Sequence, residues 1–99
     1  MNLENTSCRG TDILLSNGSS FNVVTNSTLF DECGSGIEVN MGSRHNAIIG
    51  NNVTIASPRN VFAMFDQNPE CGSDVWIDNS FSNIFAAGQI SANPTNCIR

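Results

Sequence analysis

Lysine and tyrosine are absent from this 99-residue chain, and charged side chains of either sign are scarce. Arginine supplies all four basic groups against nine acidic ones, so the formal net charge is −5 at pH 7. A chain with this charge is poorly matched to polyanions such as nucleic acid or an anionic membrane surface. We therefore expect neither as a partner.

Long apolar runs and the residue spacing of a metal site are also missing. No apolar stretch approaches the roughly 18 residues that a membrane-spanning helix needs. The chain has a single histidine and no Cys-x-x-Cys pair, which argues against a zinc site. We expect no metal ion and no cofactor.

Uncharged polarity is abundant instead, with fifteen asparagines and twelve serines. Asparagine is depleted in strands, yet residues 46–55, NAIIGNNVTI, combine three asparagines with the aliphatic residues of a buried strand. The length of the chain allows one small domain, residues 1–99, or a piece of a longer protein.

The apolar residues repeat every 24 positions. Segments near residues 11, 35, 59 and 83 each read apolar–x–apolar, the period-two pattern of a strand. The predicted inward-facing columns are Ile13/Ile37/Val61/Phe85, Leu15/Val39/Ala63/Ala87, Val24/Ile48/Trp76 and Leu29/Val53/Phe81. Trp76 replaces Val and Ile in its column, which predicts a core tryptophan whose indole N–H needs a partner.

Small polar pairs separate the two apolar residues of the second strand set. In NAIIGNNVTI, Gly50 and Asn51 lie between Ile48 and Val53, and both residue types tolerate the left-handed backbone of a bend. The asparagines are therefore predicted to mark a corner. Asn51 should stack between Ser27 and Asn79 as a ladder of side-chain amides.

Two alternating strand types in a 24-residue repeat, without helical periodicity, predict a β-solenoid whose coils pair in parallel. The pattern GIEV…NAIIGNNVTI resembles the right-handed parallel β-helix of the pectin-lyase-like superfamily, which includes polysaccharide lyases, polygalacturonases and phage tailspikes. The resemblance covers residues 11–90. It implies an all-β, single-stranded, right-handed parallel β-helix of about 3.5 coils.

Two other architectures remain open, a left-handed β-helix and a β-sandwich. Left-handed β-helices usually carry a shorter hexapeptide repeat, which is not found here. A β-sandwich offers no reason for a strict 24-residue repeat.

The terminal segments, residues 1–10 and 91–99, are short, polar and poorly suited to cover the open strand edges of a solenoid. We therefore expect this chain to continue into a longer β-helix or to form a homo-oligomer.

The four cysteines lie about one coil apart in two pairs. Cys8 and Cys33 are separated by 25 residues, and Cys71 and Cys97 by 26. Residues stacked in adjacent coils lie about 4.8 Å apart, within the Cα range of a disulfide. We predict the disulfides Cys8–Cys33 and Cys71–Cys97, with free stacked thiols as the alternative. Disulfides favour an extracellular protein.

Residues between the inward-facing ones should point outward, in the columns Leu14/Glu38/Phe62/Ala86 and Ser16/Asn40/Met64/Gly88. An acid beside an exposed ring suits a sugar, so Glu38, Asn40, Phe62 and Met64 are candidate polysaccharide-binding residues. Ordinary solvated surface or a chain interface is the alternative.

Catalytic chemistry has weaker candidates. Glycoside hydrolysis requires two carboxylates at a defined separation, and Glu38 and Asp66 form the best outward-facing pair. Arg44 and His45, which a lyase could use as a base, match no motif of the superfamily, and its Gly-His-Gly pattern is missing. We expect no complete active site in this chain alone.

Three functional hypotheses follow. The first is a segment of an extracellular or virion β-helix that binds or processes polysaccharide. The second is a purely structural module, such as the shaft of a spike or adhesin. The third is an ice-binding solenoid, which the irregular outward column of Leu, Glu, Phe and Ala disfavours.

Overall fold

Short β-strands account for nearly all of the regular structure. The computed structural model describes residues 2–5, 11–31, 35–56, 62–84 and 97–99. Its strands are β1 (Asn2–Asn5), β2 (Thr11–Leu15), β3 (Val23–Thr25), β4 (Thr28–Asp31), β5 (Ser35–Val39), β6 (Ala47–Ile49), β7 (Asn52–Ile55), β8 (Met64–Asp66), β9 (Val75–Ile77) and β10 (Ser80–Asn83). One turn of 3-10 helix, Pro69–Cys71, precedes β9.

The strands form three sheets in which every pairing is parallel. Sheet A has the order β1-β4-β7-β10, sheet B the order β2-β5-β8, and sheet C the order β3-β6-β9. Each strand pairs with the third strand along the chain, so every circuit adds one strand to each sheet. The predicted all-β parallel solenoid is confirmed.

The predicted columns are correct in sheets A and C and for the first two strands of sheet B. Ile13 pairs with Ile37 in sheet B, Val24 with Ile48 and Trp76 in sheet C, and Leu29 with Val53 and Phe81 in sheet A. The core contains Leu29, Ile37, Val39, Ile48, Val53, Ile55, Met64 and Trp76, each 2% exposed or less. Burying each such side chain contributes about 1.5–3 kcal/mol, and no single coil could enclose them alone.

The predicted register of β8 against β5 was wrong by three residues. Ile37 pairs with Met64 and Val39 with Asp66, whereas the 24-residue repeat placed Val61 and Ala63 there. The cause is a longer connection, since six residues separate Asp31 from Ile37 but nine separate the equivalent Ile55 from Met64. Ala63 remains buried and its carbonyl accepts from the backbone N–H groups of Gly36 and Ile37. Val61, Phe85 and Ala87 lie outside the described residues.

The corner before sheet A repeats one backbone conformation. Asn26, Gly50 and Asp78 all have positive φ, at 52°, 70° and 57°, and these residue types tolerate the left-handed region best. The predicted bend at Gly50 is confirmed. Asn51 does not share the positive φ, and its contribution to the corner is made through side-chain hydrogen bonds.

The predicted Cys71–Cys97 disulfide is present, with a Cα–Cα distance of 6.1 Å. It holds residues 97–99 against the last coil, where Ile98 is 7% exposed and packs with the core. The carbonyl of Arg99 accepts from both the backbone N–H and the side-chain amide of Asn79. Residues 97–99 therefore do cover part of this end, contrary to expectation. Cys8 and Cys33 lie outside the described residues.

Candidate functional site

The outer face of sheet B carries the residues that sequence reasoning selected for ligand binding. Leu14, Glu38 and Phe65 pair across β2, β5 and β8. The neighbours of Glu38 and Phe65 in the sequence are buried, and those of Leu14 are partly buried. Leu14 is exposed, whereas Glu38 and Phe65 are half-buried. The outward orientation predicted for Glu38 is confirmed, and Phe65 takes the position predicted for Phe62.

An aromatic pair and a polar pair lie side by side on this face. Phe62, half-buried just before β8, packs edge-on against Phe65 with ring centroids 5.1 Å apart. The side-chain amide of Gln67 donates to Glu38 Oε2 at 3.3 Å, and its Oε1 accepts from the backbone N–H of Met41. The arrangement combines a flat apolar surface with hydrogen-bonding groups, as carbohydrate sites do.

Two of the predicted outward residues face the interior instead. Met64 is fully buried and Asp66 is 2% exposed, because the shifted pairing of β8 turns both side chains inward. Asn40, immediately after β5, is half-buried, and its carbonyl accepts from the Ser43 N–H. Of the four predicted binding residues, only Glu38 and Phe62 lie close to the aromatic surface just described.

Asp66 is surrounded by hydrogen-bond donors inside the coil. Its Oδ1 accepts from the backbone N–H and the side-chain amide of Asn68, each at 2.9 Å, and its Oδ2 accepts from the indole N–H of Trp76 at 2.9 Å. Burial raises the pKa of Asp66 to about 6, although the bonds from Trp76 and Asn68 act in the opposite direction. A hydrogen bond with Asp74 also raises this pKa.

The two carboxylates proposed for hydrolysis consequently do not face each other. Glu38 lies on the outside of sheet B and Asp66 on the inside, so one glycosidic bond cannot lie between them. A two-carboxylate mechanism requires both groups on the same side of the substrate's path. The geometry therefore gives this pair no shared catalytic role.

Three of the seven buried polar side chains in the described residues, Asn46, Asn51 and Asp74, belong to ladders that link successive coils. In the ladder Ser27–Asn51–Asn79, Oδ1 of Asn51 accepts from the Ser27 N–H at 3.0 Å. The Asn51 N–H and side-chain amide both donate to Oδ1 of Asn79. The predicted stacking of Asn51 is confirmed, and this residue is 1% exposed.

A second ladder, Asn22–Asn46–Asp74, was not predicted. Oδ1 of Asn46 accepts from the N–H and side-chain amide of Asn22, and Oδ1 of Asp74 accepts from the same two groups of Asn46. The sequence signal was available, since Asn22 and Asn46 are 24 residues apart and each precedes a strand of sheet C.

His45, considered earlier as a base, stacks on another ring. Phe21 and His45 lie in successive coils with ring centroids 5.2 Å apart and ring planes within 6° of parallel. Both residues have positive φ, at 60° and 61°, and both are exposed. Sequence reasoning missed this pair, although the 24-residue spacing aligns the two residues.

The described part of the chain contains no cluster of three or more His, Cys, Asp or Glu side chains that could hold a metal ion. Within the same residues, no helix has the length and apolar character needed to cross a membrane. Comparison with protein-family models, with curated proteins and with solved structures found no match to this chain.

Proposed function

We propose that the chain is a right-handed parallel β-helix of the pectin-lyase-like type, with three to four coils, that serves as a structural module. Three parallel sheets per circuit and a coil of 24 residues support this assignment. The single observation that carries the structural role is the direction of the ladder bonds. They run from coil to coil along the solenoid, and none of them is made to a cleft.

Two ladders and a disulfide suit a rigid shaft. Each step of a ladder includes a bond from a backbone N–H of one coil to a side-chain oxygen of the next. Bending the solenoid would therefore break bonds that water cannot easily replace in the interior. Of the two carboxylates proposed for catalysis, only Asp66 is buried. Its oxygens already accept hydrogen bonds from Asn68 and Trp76 within the core.

The test is to incubate the 99-residue chain with a panel of neutral and acidic polysaccharides and measure new reducing ends and unsaturated products. We expect no turnover, together with one cooperative thermal transition. Turnover by the wild type that Glu38→Gln abolishes would overturn the structural assignment, since Glu38 is the candidate acid on the outer surface.

Polysaccharide binding without catalysis is the second candidate function. It is favoured by the outer face of sheet B, where Phe62 and Phe65 adjoin the Glu38–Gln67 pair. A pyranose ring would pack on Phe65, and its hydroxyl groups would bond to Glu38 and Gln67.

Calorimetric titration with soluble polysaccharides tests this face. Phe65→Ala should weaken binding, and Thr28→Ala, an exposed change on sheet A, should not. Equal binding by wild type and Phe65→Ala would remove the sheet B face from consideration.

Localisation and assembly are part of the same proposal. The Cys71–Cys97 disulfide supports an extracellular site.

In the described residues β2 and β3 are the N-terminal edges of sheets B and C, and such edges pair readily with another strand. A further coil of a longer chain or a second copy would cover them. Light scattering after size-exclusion chromatography separates the two, since only the second gives a dimer of this chain.

A further inference from the structure

The strands of sheet C are apolar on both of their faces. β3 reads Val-Val-Thr, β6 Ala-Ile-Ile and β9 Val-Trp-Ile, and in each strand the middle residue packs with the core. Strands that lack the alternation of polar and apolar residues are typical of parallel sheets that are covered on both sides. The composition of sheet C therefore predicts a cover for its outer face as well.

The outer face of sheet C consists of the first and last residues of its three strands. Strand pairing places them in two lines that run from coil to coil, Val23/Ala47/Val75 and Thr25/Ile49/Ile77. Val23, Val75 and Ile77 are 67%, 43% and 44% exposed, and they are three of the seven large apolar side chains exposed in the described residues. Apolar surface concentrated on one face indicates an interaction site.

Sheet A shows how a solvated face of the same solenoid is built. One outward line there is Thr28/Asn52/Ser80, and all three residues are exposed and polar. Exposure in this fold is thus compatible with an ordinary polar strand surface. The apolar residues on sheet C need another explanation.

The charge of the two lines indicates the kind of partner. None of the six residues is charged, whereas the whole chain has a net charge of −5. A basic partner would find no carboxylate on this face. Two copies of the chain would repel each other through a face that carries an acid, such as Glu38 on sheet B, but they can approach through sheet C without placing like charges in contact.

The two lines also complement each other in size. The small Ala47 lies between two valines in one line, and the large Ile49 occupies the same coil of the other line. A two-fold axis parallel to the solenoid axis places each line opposite the other line of a second copy. Ala47 then lies opposite Ile49 of the second copy, so the larger side chain fills the space above the smaller one, as interdigitating residues do between packed sheets. Two-fold symmetry is the commonest symmetry of homo-oligomers.

We propose that the outer face of sheet C is the interface of a side-by-side dimer of this chain, in which two copies of the sheet pack face to face. This dimer goes beyond the structural role proposed above, and it differs from pairing of strand edges, which would join copies end to end. A stable complex buries about 800 Å² on each partner. Three strands about 4.8 Å apart provide a smaller apolar core, so we expect a weak dimer with a Kd on the order of 100 µM.

Analytical ultracentrifugation of the full chain, from about 10 µM to about 1 mM, measures this association. The average mass of the wild type should rise from that of a monomer towards that of a dimer. Ile49→Lys places a charge at the centre of the face and should weaken association about tenfold or more. Ala47→Lys should act in the same way, and thermal unfolding of each variant verifies that it is folded.

Thr54→Lys is the matched control. Thr54 lies on the central strand of sheet A as Ile49 does on that of sheet C, and both side chains are half-buried. The two substitutions change the net charge equally. Thr54→Lys should therefore associate within about twofold of the wild type.

A measurement on the wild type tests the pairing of the two lines. In a mixture of ¹³C-labelled and unlabelled chain, isotope-filtered nuclear Overhauser effects should connect the Ala47 methyl group of one copy to the Ile49 side chain of the other. Contacts between the two copies of Ile49, with none to Ala47, would indicate an axis parallel to the strands and would overturn the proposed arrangement.

Two further results would overturn the dimer itself. A wild type that remains monomeric at about 1 mM would leave the face to a different protein. Equal association of the wild type and Ile49→Lys would assign the contact to another surface, such as the strand edges, because Ile49 lies on the central strand of its sheet. Failure of the dimer would leave the structural role untouched, since that role depends on the ladders inside the solenoid.

Discussion

The indole Nε1 of Trp76 donates to Oδ2 of Asp66 at 2.9 Å, and both side chains are 2% exposed. The bond joins β9 of sheet C to β8 of sheet B across the interior of the coil. It gives the buried tryptophan a partner for its N–H, as a core indole requires. It also places a carboxyl group where its charged form is costly.

The stability of the protein should therefore depend on pH through Asp66. Its pKa in the folded state, about 6, lies above the value of 3.8 for an unperturbed aspartate. The folded state thus holds a proton that the unfolded state releases first, so this contribution is complete below pH 3.8 and is lost as pH rises through 6. Thermal unfolding followed by circular dichroism should give a lower melting temperature at pH 7.5 than at pH 4.5.

The matched variant is Asp66→Asn, which has nearly the same volume and does not titrate. Whatever its absolute stability, it should show a smaller decrease of melting temperature across this pH range than the wild type. An equal decrease in the two proteins would assign the pH dependence to another group.

Asn51→Leu should destabilise the fold by roughly 2–4 kcal/mol, because it leaves the Ser27 N–H without its acceptor and removes the side-chain amide that donates to the Val24 carbonyl and to Oδ1 of Asn79. The neighbouring Asn52→Leu is the control, since Asn52 is exposed and lies outside the ladder. Chemical denaturation of both variants measures the difference. Equal free energies of unfolding would contradict the importance of the ladder.

Gly36→Ala should be more damaging than Gly18→Ala. A Cβ atom at Gly36 would lie 2.2 Å from a methyl group of Val53 and 2.7 Å from the carbonyl oxygen of Ala63. The substitution should cost about 1–3 kcal/mol or more. At Gly18 nothing lies within 4 Å, and only the positive φ opposes alanine, at about 1 kcal/mol. Denaturant midpoints of the two variants test this order, and the reverse order would be inconsistent with the close packing at Gly36.

Replacing Cys71 and Cys97 together by serine should lower stability by roughly 3 kcal/mol, as expected for a loop of this length. The local effect is more specific. Without the disulfide, residues 97–99 should separate more often from the last coil, and the Asn79 amide, which donates to the Arg99 carbonyl, should exchange its hydrogen faster. The Asn51 amide, one coil away, is the internal control, and unchanged protection at Asn79 would show that the disulfide does not hold this cap.

Most of the architecture could be predicted because the repeat is visible in the sequence. Apolar residues about one coil apart in the sequence become partners in the parallel sheets, as Ile13 does with Ile37 and Ile48 with Trp76. Sheets A and C have this register throughout the described residues. In β7 and β10 of sheet A, the alternation of apolar and polar residues leaves a single choice of inward face.

The register of β8 could not be predicted because the sequence pattern there is ambiguous. Residues 61–65 read Val-Phe-Ala-Met-Phe, so any of several registers gives an apolar inner face, and the three extra residues of the preceding connection left no trace in the pattern. Asp66 was predicted to face outward because it lies just beyond Met64, which the 24-residue repeat placed in an outward-facing column. Its inward position depends on donors from Asn68 and Trp76, which become its neighbours only after folding.

The direction of the ladder bonds gives the solenoid a polarity. At each ladder step in the described residues, a backbone N–H of the coil nearer the N-terminus donates, and a side-chain oxygen of the next coil accepts. In the described residues the last acceptors of the two ladders are the carboxylate of Asp74 and the Arg99 carbonyl, neither of which has a side-chain amide to donate. A duplicated coil inserted on the N-terminal side of Asn46 and Asn51 would extend both ladders, because each asparagine accepts through its side-chain oxygen. A coil placed on the C-terminal side of Asp74 would receive no side-chain amide donor, because the Asp74 carboxylate only accepts. The ladders therefore favour lengthening of the solenoid by coil duplication on the N-terminal side of Asp74 and oppose it on the C-terminal side.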